Sequence, residues 1–316
     1  MKKILLVRWG GLGDLLVALP AIRLLRSGFP AAAFTLVCRR EYGSLLLQAR
    51  VVDGVVGQDD RRALSLFSGD ASAGDDRAAW LDGFDLVVTW MNQARGGVPG
   101  AGRAGAEGGE NRLTICYDAR GRQAISEFFF RNTREVLGQR FQARAEFDEC
   151  ARLPVSSLSD DPGLTVPRRP DRSRPLVVIH PGSGGEKKRW PLENFLEIAR
   201  RLRERNADGV FVTGEVEAAL DRRVEAQARS LAWTWLQSPA LASLAKLLAD
   251  SDLYLGNDSG ITHLAAACGA RVLALFRNDL VWTWRPSGDS HLLSADSIDR
   301  IGLDSVWGAA AELLCR

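Results

Sequence analysis

Three glycine-containing turns carry the residues of this chain that are best suited to chemistry. They lie at residues 10–14, 180–191 and 256–263, and each follows an apolar run and precedes a helical pattern. A turn between a strand and a helix exposes backbone amides at the beginning of the helix, where an anion binds well. The pattern therefore predicts sites for anionic ligands, phosphates above all.

The first turn reads Gly-Gly-Leu-Gly-Asp and ends at Asp14. It does not match the GxGxxG pattern, and no acidic residue ends the next strand about 20 residues on, so a dinucleotide site is poorly supported. On spacing alone, Asp14 is a first-turn acid that stabilises its helix by ~1 kcal/mol. The alternative is a general base at the floor of a cleft.

The second turn combines flexible backbone with cationic side chains. Its glycines allow a close approach to a ligand, Ser183 adds a hydroxyl, and Lys187, Lys188 and Arg189 add donors. The spacing differs from that of a Walker loop. A solvated basic turn is the alternative, but the combination favours a phosphate site.

The third turn begins a helix of small residues. Asp258 or Ser259 can cap that helix, and His263 can be an ordinary core histidine. The backbone amides of Ser259 and Gly260 also suit an anion. Two anion-binding turns in one domain indicate a diphosphate rather than a single phosphate.

Glu215 follows another predicted strand, within Thr213-Gly214-Glu215. A carboxylate at that place can accept hydrogen bonds from ribose hydroxyls. A first-turn helix acid is an equally good interpretation.

Strands and helices alternate on both sides of a Ser-, Asp-, Pro- and Arg-rich segment at residues 156–175. Such alternation predicts parallel sheets covered on both faces. Predicted strands lie at residues 4–8, 34–38, 51–56, 86–90, 113–117, 176–180, 209–213, 233–236, 253–255 and 271–276. We therefore predict an α/β fold of two doubly wound, Rossmann-like domains, residues 1–160 and 175–300, facing a central cleft.

Composition excludes several classes of protein. The chain has 316 residues and a net charge of +2, which is too weak for a nucleic-acid-binding footprint. No apolar run reaches the ~18 residues of a membrane-spanning helix, and no two of the five cysteines are spaced as CxxC. These features predict a cytoplasmic protein without a zinc site or disulfides, and leave a peripheral membrane contact open.

A glycine-rich segment at residues 96–109 has too few apolar side chains to order itself and predicts a mobile loop. Nearby arginines, including Arg120 and Arg122, make its surroundings basic.

Together the three turns resemble glycosyltransferase family 9, the lipopolysaccharide heptosyltransferases. The matches are Gly-x-x-Gly-Asp with Leu-Pro-Ala after it, His-Pro-Gly-Ser-Gly-Gly…Lys-Arg-Trp-Pro, and Gly-Asn-Asp-Ser-Gly-x-x-His-Leu-Ala-Ala-Ala. Their order and spacing cover nearly the whole chain.

The resemblance implies a GT-B fold with an acceptor-binding first domain and a nucleotide-sugar-binding second domain. The usual donor of the family is ADP-L-glycero-D-manno-heptose, the acceptor is a lipid-linked core oligosaccharide, and transfer inverts the anomeric centre without a metal or other cofactor. The helix predicted at residues 301–316 is expected to pack back on the first domain.

Residue roles also follow from the resemblance. Asp14 matches the general base, Lys188 the lysine on the donor phosphates, and Asp258 the acid of the third motif. Glu215 matches a ribose-binding glutamate, with Glu217 as the alternative. The remaining expected contacts are Ser183, Gly184, Lys187, Ser259, Gly260 and His263 for the donor, and Gly11, Gly13, Arg120 and Arg122 for the acceptor.

The chain departs from the family after residue 276. Arg-Asn-Asp-Leu-Val-Trp replaces the usual Gly-Pro-Thr-Asp-Pro-like turn, so recognition of the base or the choice of donor can differ. Two alternatives stay open: transfer from another nucleotide-sugar, or to a protein or capsule acceptor, and a non-catalytic nucleotide-sugar-binding protein.

Overall fold

The computed structural model describes residues 1–66, 79–92, 102–103, 112–117, 123–138, 145–159, 173–214 and 221–315. The chain divides into two compact units, Met1–Leu158 and Ser159–Arg316. Each unit is built on its own parallel sheet.

The first unit has a sheet in the order β3-β2-β1-β4-β6-β5, with every pair parallel. Its strands are β1 (Lys3–Val7), β2 (Ala33–Cys38), β3 (Gly54–Gly57), β4 (Leu86–Asn92), β5 (Gly102–Arg103) and β6 (Arg112–Tyr117). Its helices are α1 (Leu12–Leu16), α2 (Leu19–Gly28), α3 (Arg40–Gln48), α4 (Arg61–Ser65), α5 (Ile125–Leu137) and α6 (Phe147–Cys150). The direction of winding reverses between β1 and β4, which makes this pair the switch point of the sheet, the usual place for a ligand.

Two short helices follow the first turn instead of the single helix that the sequence predicts. α1 begins at Leu12, so Asp14 lies in its first turn. Val17 and Ala18 interrupt the helix before α2 begins at Leu19. Pro20 lies in the first turn of α2. Proline fits there because its missing N–H would have no helical partner.

The segment predicted as a mobile loop, residues 96–109, lies outside the described residues apart from Gly102–Arg103. Those two residues form β5, which pairs with β6. A short strand therefore lies inside a segment for which the sequence predicts none.

The second unit has a sheet in the order β12-β11-β10-β7-β8-β9, again with every pair parallel. Its strands are β7 (Leu176–His180), β8 (Asp208–Thr213), β9 (Thr234–Gln237), β10 (Leu253–Asn257), β11 (Val272–Arg277) and β12 (Ser290–Ala295). Its helices are α7 (Leu192–Glu204), α8 (Asp221–Ser230), α9 (Leu241–Asp250), α10 (Gly260–Cys268), α11 (Asn278–Trp284) and α12 (Leu303–Cys315). Here β7 and β10 form the switch point.

The last helix, α12, packs on α7 and β10 of its own unit. Its buried residues Val306 and Leu313 join the core that surrounds Phe195 and Trp190. The indole Nε1 of Trp190 donates to the carbonyl oxygen of Ile301 (2.9 Å), just before α12. The helix is thus a structural part of the second unit, and its contact with the first stays a prediction.

None of the five cysteines, all of which lie in the described ranges, forms a disulfide bond. Burial raises the pKa of the Cys38 thiol to about 12, so this thiol stays neutral and unreactive near neutral pH. None of the helices in the described ranges is long and apolar enough to cross a membrane.

Candidate active site

The second and third turns meet at the switch point of the second sheet. β7 and β10 are neighbours, with His180 opposite Gly256, so the turns that follow them share one edge of the sheet. Asn257, fully buried, joins them: its Nδ2 donates to the carbonyl oxygen of Pro181 (2.8 Å), and its Oδ1 accepts the backbone N–H of Trp190 (3.0 Å). The amide side chain of Asn257 therefore links the two turns.

A second link joins Ser183 to Asp258. The Ser183 hydroxyl donates to the carbonyl oxygen of Asp258 (2.7 Å), and the Arg189 Nε donates to the carbonyl oxygen of Ser183 (3.0 Å). The hydroxyl proton of Ser183 is used in the bond to Asp258, so this side chain serves to hold the two turns together. Its expected contact with a phosphate stays a proposal.

Lys188 and Asp258 form an ion pair across the same two turns. The Nζ of Lys188 lies 2.6 Å from the Oδ2 of Asp258, and the side chains are 36% and 7% exposed, respectively. An ammonium group has three N–H donors, and this bond uses one of them. A nearly buried carboxylate therefore holds an accessible cation that has donors left for an anion.

Helix α10 begins beside this pair. The Oγ of Ser259 accepts the backbone N–H of Thr262 (3.3 Å) and caps the helix. Gly260 is the first residue of α10, so the positive end of the helix dipole lies beside the Lys188–Asp258 pair. His263 is buried in the same helix.

The first turn holds Asp14 by its own backbone and by a cation. The Oδ2 of Asp14 accepts the N–H of Gly11 (2.9 Å), and its Oδ1 accepts from the Nη2 of Arg8 (3.0 Å). The Asp14 side chain stays 33% exposed. Asp14 is thus a first-turn helix acid, and its exposed carboxylate remains open to a ligand.

Two site-forming residues, Arg8 and Asn257, were given no role from the sequence, and the contact of Arg189 with Ser183 was not predicted. Arg8 directly follows the apolar strand β1, two residues before the glycine turn, and Asn257 ends the apolar strand β10. A polar or charged residue at the carboxyl end of a buried strand was the available signal.

The other predicted site residues have these positions, Gly11 being the donor to Asp14 described above. Gly11 precedes α1 and Gly13 lies within it, whereas Lys187 is exposed beside Lys188. A Cβ at Gly184 would meet no atom within 4 Å, so the second turn is open there. The predicted residues Arg120, Arg122, Glu215 and Glu217 lie outside the described residues. Across the described ranges, no group of three or more His, Cys, Asp or Glu side chains is placed to hold a metal ion.

Comparison with known proteins gives the family. Residues 123–296 match glycosyltransferase family 9 (heptosyltransferase). The chain is 25% identical to lipopolysaccharide heptosyltransferase 1 of Pseudomonas aeruginosa over 87% of this chain and 78% of that protein. It is 32% identical to lipopolysaccharide heptosyltransferase 2 of Salmonella typhimurium, over 33% of this chain and 31% of that one.

Solved structures give the fold. A glycosyltransferase family 9 protein from Veillonella parvula matches with a TM-score of 0.70 at 18% identity, over 99% of this chain and 97% of its own. ADP-heptose lipopolysaccharide heptosyltransferase II of E. coli matches with 0.68 at 19% identity, over 100% and 99%. E. coli heptosyltransferase WaaC with ADP matches with 0.69 at 16% identity, over 98% and 99%.

The fold is thus of the GT-B type, with two parallel-sheet α/β domains. The chain belongs to glycosyltransferase family 9 and is a glycosyltransferase of the heptosyltransferase type.

Proposed function

We propose that this protein transfers heptose from ADP-L-glycero-D-manno-heptose to a lipopolysaccharide inner-core acceptor, with inversion at the anomeric carbon and without a metal ion. The observation that carries the proposal is the Lys188–Asp258 pair at the switch point of the second sheet. It lies within residues 123–296, which match the family. Solved relatives include heptosyltransferase WaaC with ADP and with ADP-2-deoxy-2-fluoro heptose.

The second unit binds the donor in this proposal. When the bond from C1 to the phosphate oxygen breaks, negative charge develops on the β-phosphate of the departing ADP. Lys188 has two N–H donors left to stabilise that charge. The amides of Ser259 and Gly260, at the beginning of α10, add to that stabilisation. Further donor contacts are assigned to Ser183, Gly184, Lys187, Glu215 and His263.

The first unit binds the acceptor and supplies the base. The acceptor oxygen forms the new bond to C1 of the sugar, its proton passes to Asp14, and the bond from C1 to the phosphate oxygen breaks. Each Asp14 oxygen accepts one hydrogen bond, so each has a lone pair left for the acceptor hydroxyl. Further acceptor contacts are assigned to Gly11, Gly13, Arg120 and Arg122. Because the acceptor is lipid-linked, the proposal places the protein in the cytoplasm, in peripheral contact with the inner membrane.

The direct test is incubation of the purified protein with ADP-heptose and a heptose-deficient core lipid. We expect release of ADP together with a heavier lipid product. Asp14→Ala should bind ADP as the wild type does and lose turnover, which separates an enzyme from a non-catalytic binding protein. Absence of transfer to any acceptor would count against the proposal.

The identity of the donor has its own test, because residues 277–282 depart from the family. Thermal unfolding is measured with ADP-, GDP- and UDP-sugars. We expect the ADP-sugar to raise the unfolding temperature most. Stabilisation by a UDP- or GDP-sugar but not by ADP would exclude the heptose donor and leave the enzyme class in place.

Lys188→Met tests the anchored cation. Loss of one donor aimed at the developing charge lowers kcat by about 10²–10³-fold. Arg300→Met, which removes an exposed cation of the same unit, is the control and should keep wild-type kinetics. Steady-state kinetics would contradict the role of Lys188 if both variants behaved alike.

A further inference from the structure

Arg8 is a buried cation at the switch point of the first sheet. It directly follows β1 and is 3% exposed. Its Nη1 donates to the carbonyl oxygen of Trp90 in β4 (3.0 Å). A charge so deeply buried costs free energy unless it is paired and hydrogen-bonded. The partners of Arg8 therefore show what the cation is for.

Two aromatic rings limit the orientation of the guanidinium. The Cζ of Arg8 lies 5.3 Å from the ring centroid of Phe129 and 5.9 Å from that of Tyr117. The two rings pack edge to face with centroids 5.4 Å apart, and both side chains are buried. The cation–π contacts and the packing hold the planar group in one place.

Two further N–H groups of Arg8 donate to Asp14. Nη2 donates to the carboxylate Oδ1 (3.0 Å), and Nε donates to the backbone carbonyl oxygen of the same residue (2.7 Å). One rigid cation thus holds both the side chain and the main chain of Asp14. Among the described residues, the other donor to the Asp14 carboxylate is the Gly11 N–H, just before α1.

We propose that Arg8 is a positioning residue that orients the Asp14 carboxylate for proton transfer; this rests on the proposed function of Asp14 as base. Arg8 itself takes no part in the transfer of the proton. It holds Asp14 in place while the acceptor proton moves to the carboxylate. Misplacement of a reacting group by about 1 Å can cost about a hundredfold in rate.

Arg8→Met and Arg8→Lys are compared by steady-state kinetics. We expect kcat of Arg8→Met to fall about a hundredfold while KM for the nucleotide-sugar stays within about twofold, because the donor site lies in the other unit. Arg8→Lys keeps the charge and should restore part of the loss. Equal kcat values for Arg8→Met and wild type would overturn the proposal.

Arg26→Met is a matched control. Arg26 also lies over a ring, at 4.2 Å from the Phe34 centroid, and also donates to a carboxylate (Asp53, 2.5 Å) and to backbone carbonyl oxygens. Its contacts lie at the beginning of β2, the opposite edge of the sheet from Asp14. Its loss should lower the unfolding temperature and leave kcat unchanged, which separates positioning from a general loss of stability.

A double variant tests whether Arg8 acts through Asp14. If it does, Arg8→Met/Asp14→Asn should be no slower than Asp14→Asn alone, because the two residues work as a unit. Effects that multiply in the double variant would contradict the proposal.

A crystal structure of Arg8→Met gives a readout that does not depend on activity. We expect the Asp14 carboxylate to leave the Gly11 N–H. A carboxylate that stays in place overturns the positioning role. A wild-type protein that transfers no sugar counts instead against the proposed function.

Discussion

At the scale of single residues, Gly10 decides whether Asp14 keeps its position. Its φ is +136°, and a Cβ at this position would lie 2.5 Å from the Oδ2 of Asp14. Any side chain at residue 10 is therefore strained in its backbone and collides with the carboxylate.

Gly10→Ala should lower both stability, by about 1–3 kcal/mol, and kcat, because the carboxylate must move. Gly138→Ala is the control, since Gly138 also has a positive φ (+44°) but open space around it. Gly138→Ala should lower stability and leave kcat unchanged. Urea unfolding and transfer assays measure both effects, and an unchanged kcat in Gly10→Ala would contradict the assignment of Asp14.

Residue types and spacing predicted that the second and third turns bind one diphosphate, and the two turns do follow neighbouring strands; binding of a diphosphate there stays a prediction. The pairing of Lys188 with Asp258, and of Arg8 with Asp14, was not predicted. Side-chain partners depend on rotamers and on which strands become neighbours, and Arg8 contacts Trp90, 82 residues away in the chain. No local pattern carries that information.

At the scale of elements, the site in the second unit depends on how the turns after β7 and β10 are joined. Asn257 satisfies the carbonyl oxygen of Pro181 and the N–H of Trp190, both within the interior. A buried polar group that loses its partner costs about 1–3 kcal/mol.

Asn257→Leu should therefore lower the free energy of unfolding by about 2–6 kcal/mol, since two groups lose their partners. Asn278→Leu removes an exposed amide that bonds Asp296, and it should change stability by less than about 0.5 kcal/mol. Urea unfolding of both variants compares them directly. If both variants lowered the free energy of unfolding by similar amounts, the two turns would be held together mainly by contacts other than those of Asn257.

Most strands were predicted within a few residues because apolar runs mark buried parallel strands. β12 and α11 were not predicted. β12 reads Ser-His-Leu-Leu-Ser-Ala, lacks β-branched residues and lies at the sheet edge, so its pairing with β11 overrides a weak propensity. α11 is rich in Val, Thr and Trp, which favour helix little.

At the scale of the whole molecule, the chain divides at Leu158 and Ser159, near the start of the polar segment at residues 156–175. The sequence predicts a boundary there because a segment with few apolar side chains contributes little to a core. The contacts of α12 with α7 and β10 did not follow from composition, because its amphipathic pattern does not name its partner.

Hydrogen exchange with and without ADP tests the division of labour between the units. We expect ADP to protect backbone amides at residues 181–189 and 257–263 and to leave residues 9–14 nearly unchanged. ADP at a hundred times its Kd should stabilise the protein by about 2.7 kcal/mol. Protection confined to the first unit would contradict a donor site in the second.

The bond from Trp190 to Ile301 also bears on how the protein is made. The two partners are 111 residues apart, and a ribosome adds roughly 5–20 residues each second. Trp190 is therefore synthesised roughly 5–20 seconds before Ile301, which supplies the acceptor of its indole N–H. The loop that carries Lys188 therefore obtains this support only after residue 301 has been synthesised.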